Sequence, residues 1–191
     1  PWSTLPEYAF RALSRRRGSS LEHPVYAIRR TLTGDTGFLI GVPTDPSSHP
    51  LIRDLDQAFE NANFALLDEP IRIPILETLR IEAGIIRAGH DAPQKKRLLP
   101  ETGIEGQVVS YTKGCYLGQE VIARVRTYGS VPFALRALRL KGGLDAVHHI
   151  PESGSFLYDL DEKKIGQWVH TIYSPVTDGP VAIVYLNRAS R

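Results

Sequence analysis

Hydrophobic positions in the first 130 residues recur with two different spacings. The spacing of three and four residues at Leu51, Leu55 and Phe59 is typical of an amphipathic helix. β-Rich runs on either side of Thr33-Gly34-Asp35-Thr36 are typical of a hairpin, since glycine or aspartate tolerates the positive φ of its turn. The pattern predicts helices over residues 5–17, 51–67 and 75–83, hairpin strands over 25–32 and 37–42, a loop over 88–102, a short strand over 108–111 and a short helix over 119–125.

From Ala134 onward the pattern changes to short apolar runs separated by turn residues. Gly142-Gly143 and Asp178-Gly179 punctuate these runs, and no helical spacing interrupts them. This arrangement is typical of a small β-barrel or sandwich. We therefore predict an α+β domain over residues 1–130 and a small antiparallel β-barrel over residues 131–191, with a boundary near Val131.

Length, composition and charge narrow the class of protein. The 191 residues are 42% hydrophobic and 23% charged, which is typical of a soluble globular protein with one large or two modest domains. No run approaches the roughly 18–20 apolar residues of a membrane span. The net charge of +2 does not imply a polyanionic partner. We expect a cytoplasmic protein, or a mitochondrial matrix protein in a eukaryote, with no membrane or direct nucleic-acid partner.

The chain contains no methionine and does not begin with one. A natural chain of this size carries several methionines. We therefore expect these residues to be part of a longer protein.

The single cysteine lies in the motif Lys113-Gly114-Cys115-Tyr116-Leu117-Gly118-Gln119-Glu120. One cysteine excludes an internal disulfide framework, so any chemical role of Cys115 is that of a free thiol or thiolate. If a helix begins near Gly118, its dipole and the Lys113 ammonium favour the thiolate, which attacks electrophiles and ligates metals. Tyr116 is placed to cover such a site or to stack on a ring. The alternative interpretation is that Cys115 is a small buried hydrophobe.

Basic residues dominate the chain from residue 110 to residue 141. The stretch is either a solvated basic face or a site for an anionic ligand. Histidines, by contrast, are scattered, and we predict no metal site; the His148-His149 pair is expected in a surface turn. The basic stretch has one acidic residue, Glu120, and six basic residues: Lys113, Arg124, Arg126, Arg136, Arg139 and Lys141.

A second candidate site lies at the end of the helix predicted over residues 75–83. Glu82 falls just before Gly84, and a carboxylate is unfavourable at a helix C-terminus unless a partner compensates it. Arg80 or a ligand rich in N–H groups would serve as that partner. A surface ion pair is the alternative.

Three of these segments resemble the YgfZ family, the folate-binding relatives of the glycine-cleavage aminomethyltransferase. The cysteine octapeptide followed by Arg124 resembles the family signature. Residues 79–84 resemble its Arg-hydrophobic-Glu-Ala-Gly segment, and residues 99–103 resemble its Pro-x-Glu-x-Gly loop. The resemblance covers residues 75–191 well and the first 74 residues weakly.

The resemblance implies an aminomethyltransferase-like α+β domain that binds tetrahydrofolate, followed by a C-terminal β-barrel. Glu82 would hydrogen-bond the pterin, and Arg124 and Arg126 would hold the cofactor's carboxylate tail or steady the cysteine loop. The family's N-terminal segment with a catalytic aspartate is not identified here. The implied catalytic residues are Cys115 and Lys113, and the implied cofactor-binding residues are Glu82, Arg80, Tyr116, Gln119, Glu120 and Arg124.

Three functions follow as hypotheses. The resemblance implies a folate-binding protein that supports iron–sulfur cluster assembly or repair in client enzymes, including tRNA-modifying ones, with client or assembly proteins as partners. The second hypothesis is a folate-dependent aminomethyltransferase of the glycine-cleavage type. An RNA-binding module on the basic stretch is the third, and the near-neutral overall charge argues against it.

Overall fold

The computed structural model describes residues 5–13, 25–42, 50–64, 68–92, 97–143 and 150–190. The chain forms two compact units, which we call the N-terminal unit (residues 1–83) and the C-terminal unit (residues 84–191). The domain boundary that we place near Val131 stays a prediction. No helix among the described residues is long and apolar enough to cross a bilayer.

The N-terminal unit contains a three-stranded antiparallel sheet and two helices. The order of strands in the sheet is β1-β2-β3. The predicted hairpin is confirmed as β2 and β3, and Gly34 takes a φ of 91° in its turn, where the Thr31 hydroxyl accepts its amide at 2.7 Å. The elements are β1 (Phe10–Leu13), β2 (Val25–Arg29), β3 (Phe38–Gly41), α1 (Pro50–Asn61) and α2 (Glu69–Glu82).

The helix predicted over residues 5–17 is wrong where the structure describes it. Residues Phe10–Leu13 form β1, which pairs with β2 from Phe10↔Ile28 to Leu13↔Val25. Pairing along β2 satisfies the backbone groups of this segment, and that tertiary partner overrides a local helical preference. Residues 14–17 lie outside the described part of the chain.

Both remaining helices of this unit are confirmed with different bounds. Helix α1 ends at Asn61, because Asn63 adopts the left-handed conformation (φ 58°) that commonly follows a helix end. Helix α2 begins at Glu69, earlier than predicted. Pro70 therefore occupies the first turn, and Pro74 lies inside the helix.

The C-terminal unit combines short helices with a four-stranded antiparallel sheet. The strands run in the order β4-β7-β6-β5, which places β7 and β6 at the centre. The predicted helix at residues 119–125 is confirmed as α5, and the loop predicted over residues 88–102 ends in a helical turn, α3. The elements are α3 (Leu99–Thr102), α4 (Glu105–Val108), α5 (Gln119–Tyr128), β4 (Phe133–Arg139), β5 (Phe156–Tyr158), β6 (Lys164–Ser174) and β7 (Gly179–Asn187), followed by a 3₁₀ turn (Arg188–Ser190).

The strand predicted over residues 108–111 is wrong. Val108 closes the single turn α4, and Tyr111 folds back to donate its hydroxyl proton to Glu105. The Arg126 guanidinium covers the Tyr111 ring at 3.9 Å from its centroid. These local contacts hold residues 105–111 as a compact turn.

The sheet is not closed into a barrel in the part of the chain that the structure describes. Strands β4 and β5 form its two edges, so the predicted C-terminal barrel is not confirmed. The short apolar runs after Ala134 form the strands β4 to β7. The core on one face consists of Trp168, Ala182 and Val184, with Leu138, Leu140, Ile150, Leu157 and Leu186 packed against them.

Arg97 anchors the segment before α3 to the sheet. Its guanidinium lies 4.4 Å from the ring centroid of Phe133 and 4.2 Å from that of Tyr185. Its Nη2 also donates to the side-chain oxygen of Gln167 at 2.7 Å. Flat stacking of this kind suits the planar guanidinium of arginine.

Strand β6 contains a bulge. Trp168 pairs with Val184 and His170 pairs with Ile183, so Val169 is an extra residue with no counterpart in β7. A bulge of this kind reverses which face the following side chains take.

Gly166→Ala should destabilise the C-terminal unit by about 1–3 kcal/mol because of overpacking. A Cβ at Gly166 would lie closer than 3.0 Å to the Tyr185 carbonyl oxygen, which belongs to the backbone of the neighbouring strand. Gly143→Ala is the matched control, since its Cβ would meet nothing within 4 Å. Urea unfolding followed by tryptophan fluorescence measures both. Equal midpoints for the two variants would contradict this close approach.

Candidate functional site

The eight residues implied as site residues are divided between the two units. Arg80 and Glu82 lie at the end of α2 in the N-terminal unit. The other six lie in the C-terminal unit, on the turn before α5 and on α5 itself. Each group is therefore a local arrangement that can be described from its own contacts.

The end of α2 places two ionisable side chains close to the helix terminus. Arg80 is buried, and its guanidinium pairs with the carboxylate of Glu77, with Nε donating at 3.1 Å. Glu82 is half-buried and is the last residue of the helix. The backbone turns away at Gly84, whose φ is 69°. Glu82 thus lies at the helix C-terminus, as the sequence predicts.

The cysteine turn, residues 113–118, exposes its thiol. Cys115 is solvent-exposed, which excludes the alternative of a small buried hydrophobe. Gly118 adopts a φ of 87° and caps α5, so the cysteine precedes the positive end of the helix dipole. A side chain other than glycine would be strained at position 118. This turn therefore presents a thiol to any molecule that approaches from solvent.

Lys113 and Tyr116 are in contact within the cysteine turn. The Lys113 ammonium lies 4.8 Å from the centroid of the Tyr116 ring. Tyr116 is half-buried, and its hydroxyl oxygen is buried without a hydrogen-bond partner among the described residues. The Tyr116 ring therefore packs against the Lys113 ammonium. Its hydroxyl group is available to form a hydrogen bond with a ligand.

Helix α5 carries the remaining predicted residues. Glu120 and Arg124 form an exposed ion pair one turn apart, with 3.1 Å between Oε1 and Nη2. Pairs of this kind contribute roughly 0.3–0.5 kcal/mol. An anionic ligand could therefore displace Glu120 from Arg124 at little cost. Gln119 is half-buried at the first position of the helix.

Some arginines of the basic stretch, residues 110–141, contact other parts of the C-terminal unit. Arg126 is occupied with Tyr111, as described above, and Arg139 donates to the Thr177 carbonyl at 3.2 Å. The hydrogen bond to Glu105 is the main cause that raises the pKa of Tyr111, because the carboxylate stabilises the protonated phenol. These contacts favour a structural role for part of the stretch.

Sequence reasoning missed a cluster of three side chains in the C-terminal unit. Asp91 is 2% exposed, and one carboxylate oxygen accepts the Arg87 amide at 2.7 Å. Its other oxygen lies 3.2 Å from Nδ1 of His90 and 3.5 Å from Nδ1 of His170. The two imidazole rings lie 4.9 Å apart. The adjacent His90-Asp91 pair was the one sequence signal, whereas His170 is distant in the chain.

Tyr185 fixes the backbone of this cluster. Its buried hydroxyl donates to the Asp91 carbonyl at 3.0 Å. Burial raises the pKa of Tyr185 to about 12, so the phenol stays protonated and remains a donor at neutral pH.

The predicted His148-His149 surface turn lies outside the described residues.

Comparison with known proteins gives one consistent set of relatives. No family model matches the chain. The aminomethyltransferase of Staphylococcus carnosus strain TM300 is 29% identical over 157 residues, 82% of this chain and 39% of that protein. The aminomethyltransferase of Staphylococcus saprophyticus is 28% identical over 121 residues, 62% of this chain and 31% of that protein. This chain thus spans less than two fifths of either relative.

A solved structure agrees with the sequence relatives. The glycine cleavage system aminomethyltransferase T from Bartonella henselae superposes with a TM-score of 0.67 at 21% identity, and the match covers 86% of this chain and 42% of that one. None of these three proteins is described as a YgfZ protein, so that finer resemblance stays a prediction. The chain has a mixed α/β structure that resembles the aminomethyltransferase fold.

Proposed function

We propose that this chain belongs to a tetrahydrofolate-binding protein that supports iron–sulfur enzymes through Cys115. The single observation that carries the proposal is the exposed thiol on a turn capped by Gly118. The aminomethyltransferase-like fold supports the folate part of the proposal. The motif Lys113-Gly114-Cys115 supports the iron–sulfur part through its resemblance to the YgfZ signature.

The thiol acts as one ligand in a shared complex. Iron–sulfur clusters are commonly held by four cysteine thiolates, and this chain has a single cysteine. Client or assembly proteins supply the remaining ligands. The exposure of Cys115 suits this role, because solvent access admits a partner.

We assign the pterin contact to the end of α2. The carboxylate of Glu82 accepts hydrogen bonds from the pterin ring and its amino group, a donor edge that matches two carboxylate oxygens. Arg80, two residues earlier, pairs with Glu77 on the same helix. In the C-terminal unit, Arg124 is separately able to bind an anionic group in place of Glu120. Tyr116 and Gln119 add contacts beside it.

A folate-dependent aminomethyltransferase is the second candidate. The sequence relatives bear the name aminomethyltransferase, which agrees with this candidate as it does with the first. In that function Cys115 has no chemical role, and a carboxylate assists proton movement in the transfer step. The effect of removing the thiol separates the two candidates.

The thiol should react with Ellman's reagent in the folded protein. We expect one equivalent per chain without denaturant, at a rate close to that in denaturant, because the side chain is exposed. Absorbance of the released thiolate measures the reaction. Labelling that requires denaturation would contradict an accessible thiol.

Cys115→Ser should abolish the physiological role while leaving folate affinity unchanged. Complementation of a deletion strain, with the activity of iron–sulfur enzymes as readout, tests the first part. Leu117→Ala is the control on the same turn, since Leu117 is fully exposed and carries no reactive group. If Cys115→Ser complements as well as this control, the thiol hypothesis fails and the aminomethyltransferase candidate gains.

Glu82→Ala should weaken tetrahydrofolate binding by about tenfold or more, the effect of losing hydrogen bonds to a charged acceptor. Calorimetric titration measures the affinity, and circular dichroism confirms that the variant is folded. Glu69→Ala, an exposed substitution in the first turn of the same helix, should bind normally. Unchanged affinity in Glu82→Ala would reject the assigned pterin contact.

A further inference from the structure

We propose that His90, Asp91 and His170 form a binding site for a divalent first-row metal ion such as Zn²⁺. All three residues belong to the C-terminal unit, and the ligand atoms that they offer lie within 4.8 Å of one another. Two imidazole nitrogens and one carboxylate oxygen are a common donor set for such ions. The proposal is independent of folate and of Cys115.

The distances between ligand atoms fit a metal of this size. Zinc binds imidazole nitrogen and carboxylate oxygen at about 2.0–2.2 Å, which places tetrahedral ligands about 3.3–3.6 Å apart. The carboxylate oxygen of Asp91 lies 3.2 Å from Nδ1 of His90 and 3.5 Å from Nδ1 of His170. Small side-chain adjustments would therefore be sufficient to receive the ion.

The bulge in β6 brings His170 to the cluster. In a regular strand His170 would share the face of Trp168, which belongs to the core together with Val184. Because Val169 is an extra residue, His170 instead pairs with Ile183 and takes the same face as Tyr185. Asp91 lies on that face, where its carbonyl accepts the Tyr185 hydroxyl. Bulges often aim a side chain at a functional site in this way.

The other groups around Asp91 hold the ligands in place. The Arg87 amide binds the second carboxylate oxygen, which orients the first oxygen towards the two histidines. Ala88 and Ala92 form a β-bridge around the turn, and the Gly89 amide donates to the Ala92 carbonyl at 3.2 Å. Outer contacts of this kind commonly raise metal affinity by 10–100-fold.

Charge and access also suit a cation. Asp91 is nearly fully buried, and a divalent ion would balance the charge of its carboxylate in a position with little water. The side chain of His90 is 46% exposed, which gives an ion a path from solvent. The competing interpretation is a hydrogen-bonded network in which both imidazoles donate Nδ1–H to the carboxylate.

Calorimetric titration of the purified, chelator-treated protein with zinc chloride tests the site. We expect one Zn²⁺ per chain. His90→Gln and His170→Gln should each weaken binding at least about tenfold, since loss of an outer-shell contact alone costs that much. Two control variants should bind normally: the double variant His148→Gln/His149→Gln, which removes the histidine pair visible in the sequence, and Cys115→Ser, which removes the only thiol.

The outcomes decide between the interpretations. No binding by the parent protein would leave a hydrogen-bonded network only and overturn the proposal. Loss of binding in either control, with normal binding by His90→Gln, would assign the ion elsewhere and also overturn it. If His170→Gln fails to fold by circular dichroism, the half-exposed His90→Gln variant decides. The visible absorption of added Co²⁺, diminished in that variant and intact in both controls, would support the three-residue site.

Discussion

The pairing of β7 with strands on both of its sides is the interaction on which the C-terminal unit depends. It makes β7 the most buried of the described strands, with seven consecutive buried residues, Gly179–Tyr185. Tyr185, on the face opposite the Val184 core, binds the Asp91 carbonyl and stacks against Arg97. Tyr185 therefore contacts the segment before α3 at two of its described residues, Asp91 and Arg97.

Much of the secondary structure could be predicted, because its causes are local. The hairpin turn needs a residue that tolerates positive φ, and Gly34 supplies it. Helix α5 begins where Gly118 allows a left-handed cap. The errors arose where partners distant in sequence decide the conformation. Residues 10–13 form a strand because β2 lies beside them, and no local pattern contains that information.

The candidate sites also differ in whether local sequence or distant partners determine them. The cysteine turn could be predicted because glycines and a lysine surround the cysteine in the sequence itself. Its exposure could not, because solvent access depends on the whole fold. The cluster around Asp91 could not be predicted either. It requires a turn after residue 84 and a strand near the C-terminus to meet on one face of a sheet, and a bulge determines which face that is.

The bulge at Val169 also has a consequence for how relatives of this chain should be aligned. The position of His170 depends on the number of residues between it and Trp168, and not only on their identity. A relative with the same spacing but a regular strand would direct the histidine into the apolar core, where an imidazole is costly. A relative that lacks one residue here and pairs regularly would keep its histidine on the Tyr185 face. A gap of one residue in an alignment of β6 therefore carries chemical information, and matching histidines alone do not establish an equivalent cluster.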